Sequence, residues 1–338
     1  MIFKVRNCLI LLVLIFKIGS CKRTSLPHSI GARDEVILIA PGEFQVDSFI
    51  NILEKQEYYP TEESIFNVKR VSLSEFDRFK FWRNLIIVGN FEQKYINNLL
   101  GEEAKKEVEK EAQLFLENDL WVRLQTVVVI SGMNTEETQK LLNRSSETIY
   151  KILRNEEKER FTKVVYMNGF QENKTEEMER LLGASYQLPF GYKLIKNEYD
   201  FLTYSRKNPD RILTLLVRRD PIKNPMKFRD SLFAKYFNGD EIFMESIEVS
   251  AGKGESRSLS LISQDTIQFR GTEALRLKGV WFNDKVESGP MGGPFISYFF
   301  EKDGISYFLD GHVFAPGKKK WPFLEEVDII LNTFKREN

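Results

Sequence analysis

The chain has 338 residues, 49 basic against 49 acidic, and is 42% hydrophobic with 27 Phe and two Cys. Balanced charge excludes the basic footprint of a nucleic-acid binder and the acidic excess of a disordered tail. Both cysteines, Cys8 and Cys21, fall at the extreme N-terminus, so the folded part has no thiol for a disulfide, a metal site or a nucleophile.

Lys4 and Arg6, the apolar run Leu9 to Phe16 and then Ile18-Gly19-Ser20-Cys21 form a secretory signal: basic region, short apolar region, small residues at the cut. The Cys after Gly-Ser looks like a bacterial lipobox, in which Cys21 is acylated and becomes the first mature residue. Plain cleavage and a retained spanning helix are the alternatives. The apolar run is far shorter than the roughly 20 residues a span needs, and Lys17 puts a charge directly after it. One acyl chain anchors only marginally, so a multiply acylated, palmitate-type N-terminus is expected. The mature chain then keeps 46 basic and 49 acidic residues, since Lys4, Arg6 and Lys17 are removed.

Residues 1–20 are thus the predicted signal peptide, and the polar stretch 21–34, with Ser25, Pro27, Ser29 and Gly31, a predicted tether. Val36 to Ala40, Asn84 to Gly89 and Thr126 to Gly132 are continuous apolar runs of the kind buried strands show. Between them Ala104, Val108, Ala112 and Phe115 recur at helical spacing. Asn134 with Glu137 resembles a capping box ahead of a helix carrying Leu141, Leu142, Ile149, Ile152 and Leu153. Residues 35–183 therefore read as an N-terminal α/β layered domain.

From 184 to 338 the pattern becomes mainly antiparallel sheet, covered by a C-terminal helix, so the whole is α+β. Tyr192 to Tyr204, Ile212 to Arg218, Leu275 to Trp281, Pro294 to Phe300 and Ile305 to Phe314 read as strands, with a hairpin turn at Asp303-Gly304. Phe323, Leu324, Val327, Ile330, Leu331 and Phe334 share one helical face.

Catalytic candidates are few. His28 lies in the tether, leaving His312, which with Asp310 could place a carboxylate beside an imidazole for general-base work. No Gly-x-Ser-x-Gly elbow accompanies it and no second His supports a metal, so a strand histidine is the default reading. Gly252-Lys253-Gly254-Glu255-Ser256 lacks the leading Gly of a phosphate loop and reads as a hairpin tip. Gly289, Gly292 and Gly293, with Pro290 and Pro294, form a tight turn or a backbone nest for a ligand. Lys318-Lys319-Lys320 reads as a solvated helix start. The aromatics Trp281, Tyr298, Phe299, Phe300, Tyr307 and Phe308 could stack on a sugar, but their alternation favours core. Glu62-Glu63 and Asp240-Glu241 read as solvated charge rather than a metal cage. No cofactor and no metal is predicted.

Leu188-Pro189-Phe190-Gly191-Tyr192, Val217-Arg218-Arg219-Asp220, Leu277-Lys278-Gly279-Val280-Trp281, Met291-Gly292-Gly293-Pro294-Phe295 and Phe314-Ala315-Pro316 occur in an order that resembles the uncharacterised Bacteroidetes lipoproteins of the domain-of-unknown-function family DUF4837. The resemblance spans nearly the whole mature chain and implies export as a lipoprotein, with no activity and no functional residues to carry over. Surface-displayed members of that group carry acidic residues after the Cys; Lys22-Arg23 here implies a periplasm-facing position instead. The expected role is a lipid-anchored, non-enzymatic envelope module, bound to the membrane through Cys21 and recognising an envelope protein or small ligand, with no nucleic acid. The alternatives are an envelope hydrolase using His312, Asp310 and Glu301, and a structural assembly protein.

Overall fold

The computed structural model describes residues 26–58, 61–218, 220–236, 246–250, 256–260, 263–283 and 291–336. Contacts group the chain into two compact units: residues up to Gln56 with Ser64–Arg160, and Glu57–Glu63 with Phe161 onward. The division at residue 160 lies inside a helix rather than near Gly183. Tyr166, the residue after that helix ends, donates its hydroxyl to the Gln187 carbonyl at 3.0 Å, a bond within the second unit. Among the described residues no helix is long and apolar enough to cross a membrane.

In chain order β1 (Glu35–Ile39), α1 (Asp47–Leu53), β2 (Gln56–Tyr58), β3 (Glu62–Ser64), β4 (Asn67–Val71), α2 (Phe76–Phe79) and β5 (Asn84–Val88) lead to α3 (Lys94–Leu99), α4 (Glu102–Val108), β6 (Gln113–Asn118), β7 (Thr126–Ser131) and α5 (Thr135–Val165), with Glu57–Glu63 grouped with the second unit and the rest up to Arg160 with the first. The sheet order is β4-β1-β5-β7-β6, parallel except for the β6 edge. β5 and β7 are buried at every residue, which is why their sequences are unbroken apolar runs. Phe115, expected on a helix, lies instead in β6 and pairs with Val129. The helical period stops at Val108, and β6 sits at a sheet edge, where an apolar run is not required.

The Asn134 and Glu137 box forms as spaced: the Glu137 amide donates to Asn134 Oδ1 at 3.0 Å. Deeper in α5, fully buried Glu157 accepts from Arg33 at 2.7 Å and Arg160 at 2.9 Å. Arg160 also donates to Asn84 Oδ1 at 2.5 Å and Thr126 Oγ1 at 2.7 Å, fixing the helix to the starts of β5 and β7. The expected tether is shortened by this unit. Arg123 N donates to Pro27 O at 2.7 Å, Ser29 N to Arg123 O at 2.9 Å and Arg83 N to Ile30 O at 2.9 Å, so the chain is laid down from residue 26. His28 meets Arg123 at 2.7 Å in the same segment.

The second unit contains α6 (Glu172–Leu182), β8 (Ala184–Ser185), β9 (Lys193–Asn197), β10 (Phe201–Arg206), β11 (Asp210–Arg218), α7 (Pro225–Tyr236), β12 (Ser246–Ser250) and β13 (Ser256–Ser260). Beyond them come β14 (Ser263–Phe269), β15 (Thr272–Asn283), β16 (Met291–Lys302), β17 (Ile305–Phe314), α8 (Trp321–Leu331) and β18 (Lys335–Arg336). Seven strands make one antiparallel sheet, β14-β15-β16-β17-β11-β10-β9. Alternation sorts its faces. Tyr307, Leu309 and Val313 of β17 cluster with Leu324, Val327 and Ile330 of α8, and a Cβ on Gly311 would lie 1.9 Å from Val327. Phe308 clusters on the other face with Leu232 and Phe228 of α7.

Glu63, read as solvated charge, is 6% exposed. Its carboxylate accepts the Lys320 amide at 2.8 Å and the Trp321 amide at 3.1 Å, filling donors that the first turn of α8 leaves open. Glu63→Ala is expected to lower stability by about 1–2 kcal/mol, as loss of a helix cap does, read from the shift in denaturation midpoint. Buried tyrosines set the alkaline limit. Burial pushes Tyr186 and Tyr192 well above the ordinary 10.0, the neighbouring Tyr204 and Glu326 adding to it respectively. A raised folded pKa gives stability that is full below pH 10 and lost as pH rises toward the folded value, by about 1.4 kcal/mol per pH unit per tyrosine. Melting followed by far-UV dichroism should therefore fall steeply above pH 10.

Candidate functional site

On the α7 face a polar row crosses the sheet. Ser297 pairs with Asp310, Asp310 with Thr214, and Thr214 with Thr203. All four are fully buried, so each must find its partners inside. The two threonine hydroxyls meet at 3.0 Å. Asp310 Oδ2 accepts from Ser297 Oγ at 2.6 Å and Arg229 Nε at 2.7 Å; Oδ1 contacts Arg229 Nη2 at 3.4 Å and His312 Nδ1 at 3.0 Å.

Arg229, also fully buried, descends from α7 and lies 4.0 Å over the Phe295 ring. Burial alone pushes the Asp310 carboxyl up. The Arg229 charge and the His312 hydrogen bond outweigh it and hold the carboxyl below the usual 3.8. His312 is 2% exposed and packs edge-on against Trp281, with ring centroids 5.4 Å apart.

The sequence thus paired Asp310 with His312 correctly, since residues two apart on a strand share a face. The wider arrangement departs from a hydrolytic triad. There the nucleophile hydroxyl bonds the imidazole and the carboxylate orients the other ring nitrogen. Here Ser297 bonds the carboxylate itself. Glu301 is exposed at the far end of β16, six residues from Phe295, the register partner of His312; at about 3.3 Å per residue that is roughly 20 Å.

Arg229 is the residue sequence reasoning missed, because residues 225–236 carry no clear apolar stripe to mark a helix. A signal existed: Asn224-Pro225 is a capping residue followed by proline, and Asn224 Oδ1 accepts the Lys227 amide at 3.1 Å.

Gly292 and Gly293 are not in a turn. They lie in β16, opposite Phe282 and Trp281, and neither has positive φ. A Cβ on Gly293 would sit 1.9 Å from the Val313 carbonyl oxygen. Across that gap the Trp281 indole N–H reaches the same oxygen at 3.2 Å. Close approach, rather than a nest or a turn, explains this glycine. Cys8, Cys21, Gly289, Asp240-Glu241 and Gly252 to Glu255 lie outside the described residues. Trp281, Tyr298, Phe299, Phe300, Tyr307 and Phe308 are buried core. Lys320 packs close to Glu63, at 3.9 Å.

These features define the second unit as an antiparallel sheet held between α7 and α8 around a sealed ionic centre. Residues 171–333 match the family described as Domain of unknown function (DUF4837). Residues 29–166 match a different one, Domain of unknown function (DUF8532), so the likeness expected over nearly the whole mature chain is confined to its second half. No curated protein matches. Among solved structures the chain is similar to the Ran-binding protein Mog1p of Saccharomyces cerevisiae, at 8% identity over 46% of this chain and 91% of that one, TM-score 0.29. It is also similar to cyanobacterial PsbP from Synechocystis sp. PCC 6803, at 8% identity over 46% and 86%, TM-score 0.29. A protein from Bacteroides thetaiotaomicron VPI-5482 gives 10% identity over 46% and 47%, TM-score 0.21.

Proposed function

We propose that this is a lipid-anchored cell-envelope protein, acylated at Cys21 and facing the periplasm, that works as a non-enzymatic binding module. The observation that carries the non-enzymatic half is the saturation of Asp310. Arg229, Ser297 and His312 converge on one buried carboxylate, which uses the most reactive-looking side chains for cohesion. The anchor is supported by the order of charge, apolar run and small residues before Cys21.

Cys21→Ser is expected to abolish palmitate labelling and move the protein from the membrane to the soluble fraction. Labelling and sedimentation unchanged from wild type would overturn the anchor. Crosslinking in intact cells should return a reproducible partner, or thermal-shift screening a small ligand; failure of both would sink the binding role.

A further inference from the structure

We propose that the hairpin end of the second unit binds a small amphiphilic anion, a flat apolar body bearing a carboxylate or similar acid; this rests on the binding-module reading above. The β14–β15 and β16–β17 turns project from the same end of the sheet, because both close hairpins of one meander. Each is set by two positive-φ residues, Arg270-Gly271 and Asp303-Gly304. Between them lies a cleft of about 430 Å³, in the range of small-molecule sites.

Aromatic rings form its base. Phe300 and Tyr307 stack at 5.0 Å and 13°, and Phe334 stands edge-on to both at 5.3 and 5.4 Å. The three residues are only 2–8% exposed, so they give the cleft a thin apolar floor that an apolar body would cover.

The rim is cationic. Arg336 is paired with Asp303, and Lys335 with Glu179 at 2.5 Å. Arg270 uses Nε on the Phe334 carbonyl at 3.1 Å, and Lys302 makes no ion pair among the described residues. Arg270 and Lys302 therefore bring positive charge to the cleft with no ion-pair partner among the described residues, the lining Asp303 being paired with Arg336, and an anionic ligand would supply one. Both residues are exposed, so neither contributes to the buried core.

Calorimetric titration of the full chain with 1-naphthoate, and with uncharged 1-naphthylmethanol, tests this. Saturable binding of the acid is expected, with the alcohol about tenfold weaker or worse. Lys302→Glu should weaken the acid about tenfold and Arg270→Glu/Lys302→Glu further, with melting temperatures near wild type. Absent binding, or binding unchanged in a folded double variant, overturns the assignment. Loss in Lys94→Glu, beside a cleft of the first unit lined by Pro41, Leu73 and Tyr95, with Lys302→Glu unaffected, overturns it too. In each case the partner crosslinking and ligand screening above decide the broader binding role separately.

Discussion

Arg229→Met is expected to destabilise the second unit by about 3–5 kcal/mol, the cost of stranding one member of a buried ion pair. Methionine replaces most of the arginine stem, so the loss is chiefly electrostatic. Asp310 would remain fully buried, with only Ser297 and His312 to answer its charge. Against a typical stability of about 5–15 kcal/mol, that change reaches the folded population at ordinary temperatures. Arg229→Met/Asp310→Asn should recover a large part of the loss, since no charge is then left unpaired. Urea unfolding of the two singles and the double closes the cycle.

The pH dependence separates this from a packing defect. In the wild type the depressed Asp310 carboxyl contributes stability that is present above the usual 3.8 and lost as pH falls through its lower folded value. Without Arg229 the carboxyl loses the strongest charge that lowers it, so its folded pKa rises relative to wild type while the His312 hydrogen bond remains. The stability that ionised Asp310 contributes above 3.8 therefore shrinks in the variant. The gap to wild type should therefore narrow toward low pH, whereas a simple cavity would leave it constant.

The sequence carried the parts of this site that are local. Asp310 and His312 share a strand, and their contact stems from a period of two. The Asp303-Gly304 turn and the apolar stripe of α8 fixed which strand that was and what covered one of its faces. What the sequence did not carry is separation. Arg229 reaches Asp310 across 81 residues, and Glu63 reaches the Lys320 amide across 257. Such pairings are set by sheet register and by where a helix lands, neither of which leaves a spacing to read. Phe115 fails for a related reason: at an edge, strand and helix patterns overlap within one turn's worth of residues. Gly292 and Gly293 resemble a turn because a cluster of glycine and proline signals one on average. Here the missing side chain admits an indole instead.

Gly293→Ala is accordingly expected to cost about 3 kcal/mol or more, at the upper end for inserting a methyl into a filled interior. The obstacle is a backbone carbonyl of the neighbouring strand at 1.9 Å, which cannot rotate aside as a side-chain tip would. Either β16 and β17 separate where they adjoin the His312 pairing, or Trp281 gives up its bond to Val313. Trp281→Phe removes that bond alone and should cost about 1 kcal/mol, beyond any packing change. The two substitutions should be strongly non-additive, because both act on one carbonyl. A ligand-binding nest at this glycine would give the opposite pattern: stability near wild type and lost affinity. Denaturation midpoints of the three variants distinguish the two, and the difference in tryptophan fluorescence between Gly293→Ala and Gly293→Ala/Trp281→Phe isolates the Trp281 indole from the chain's other tryptophans.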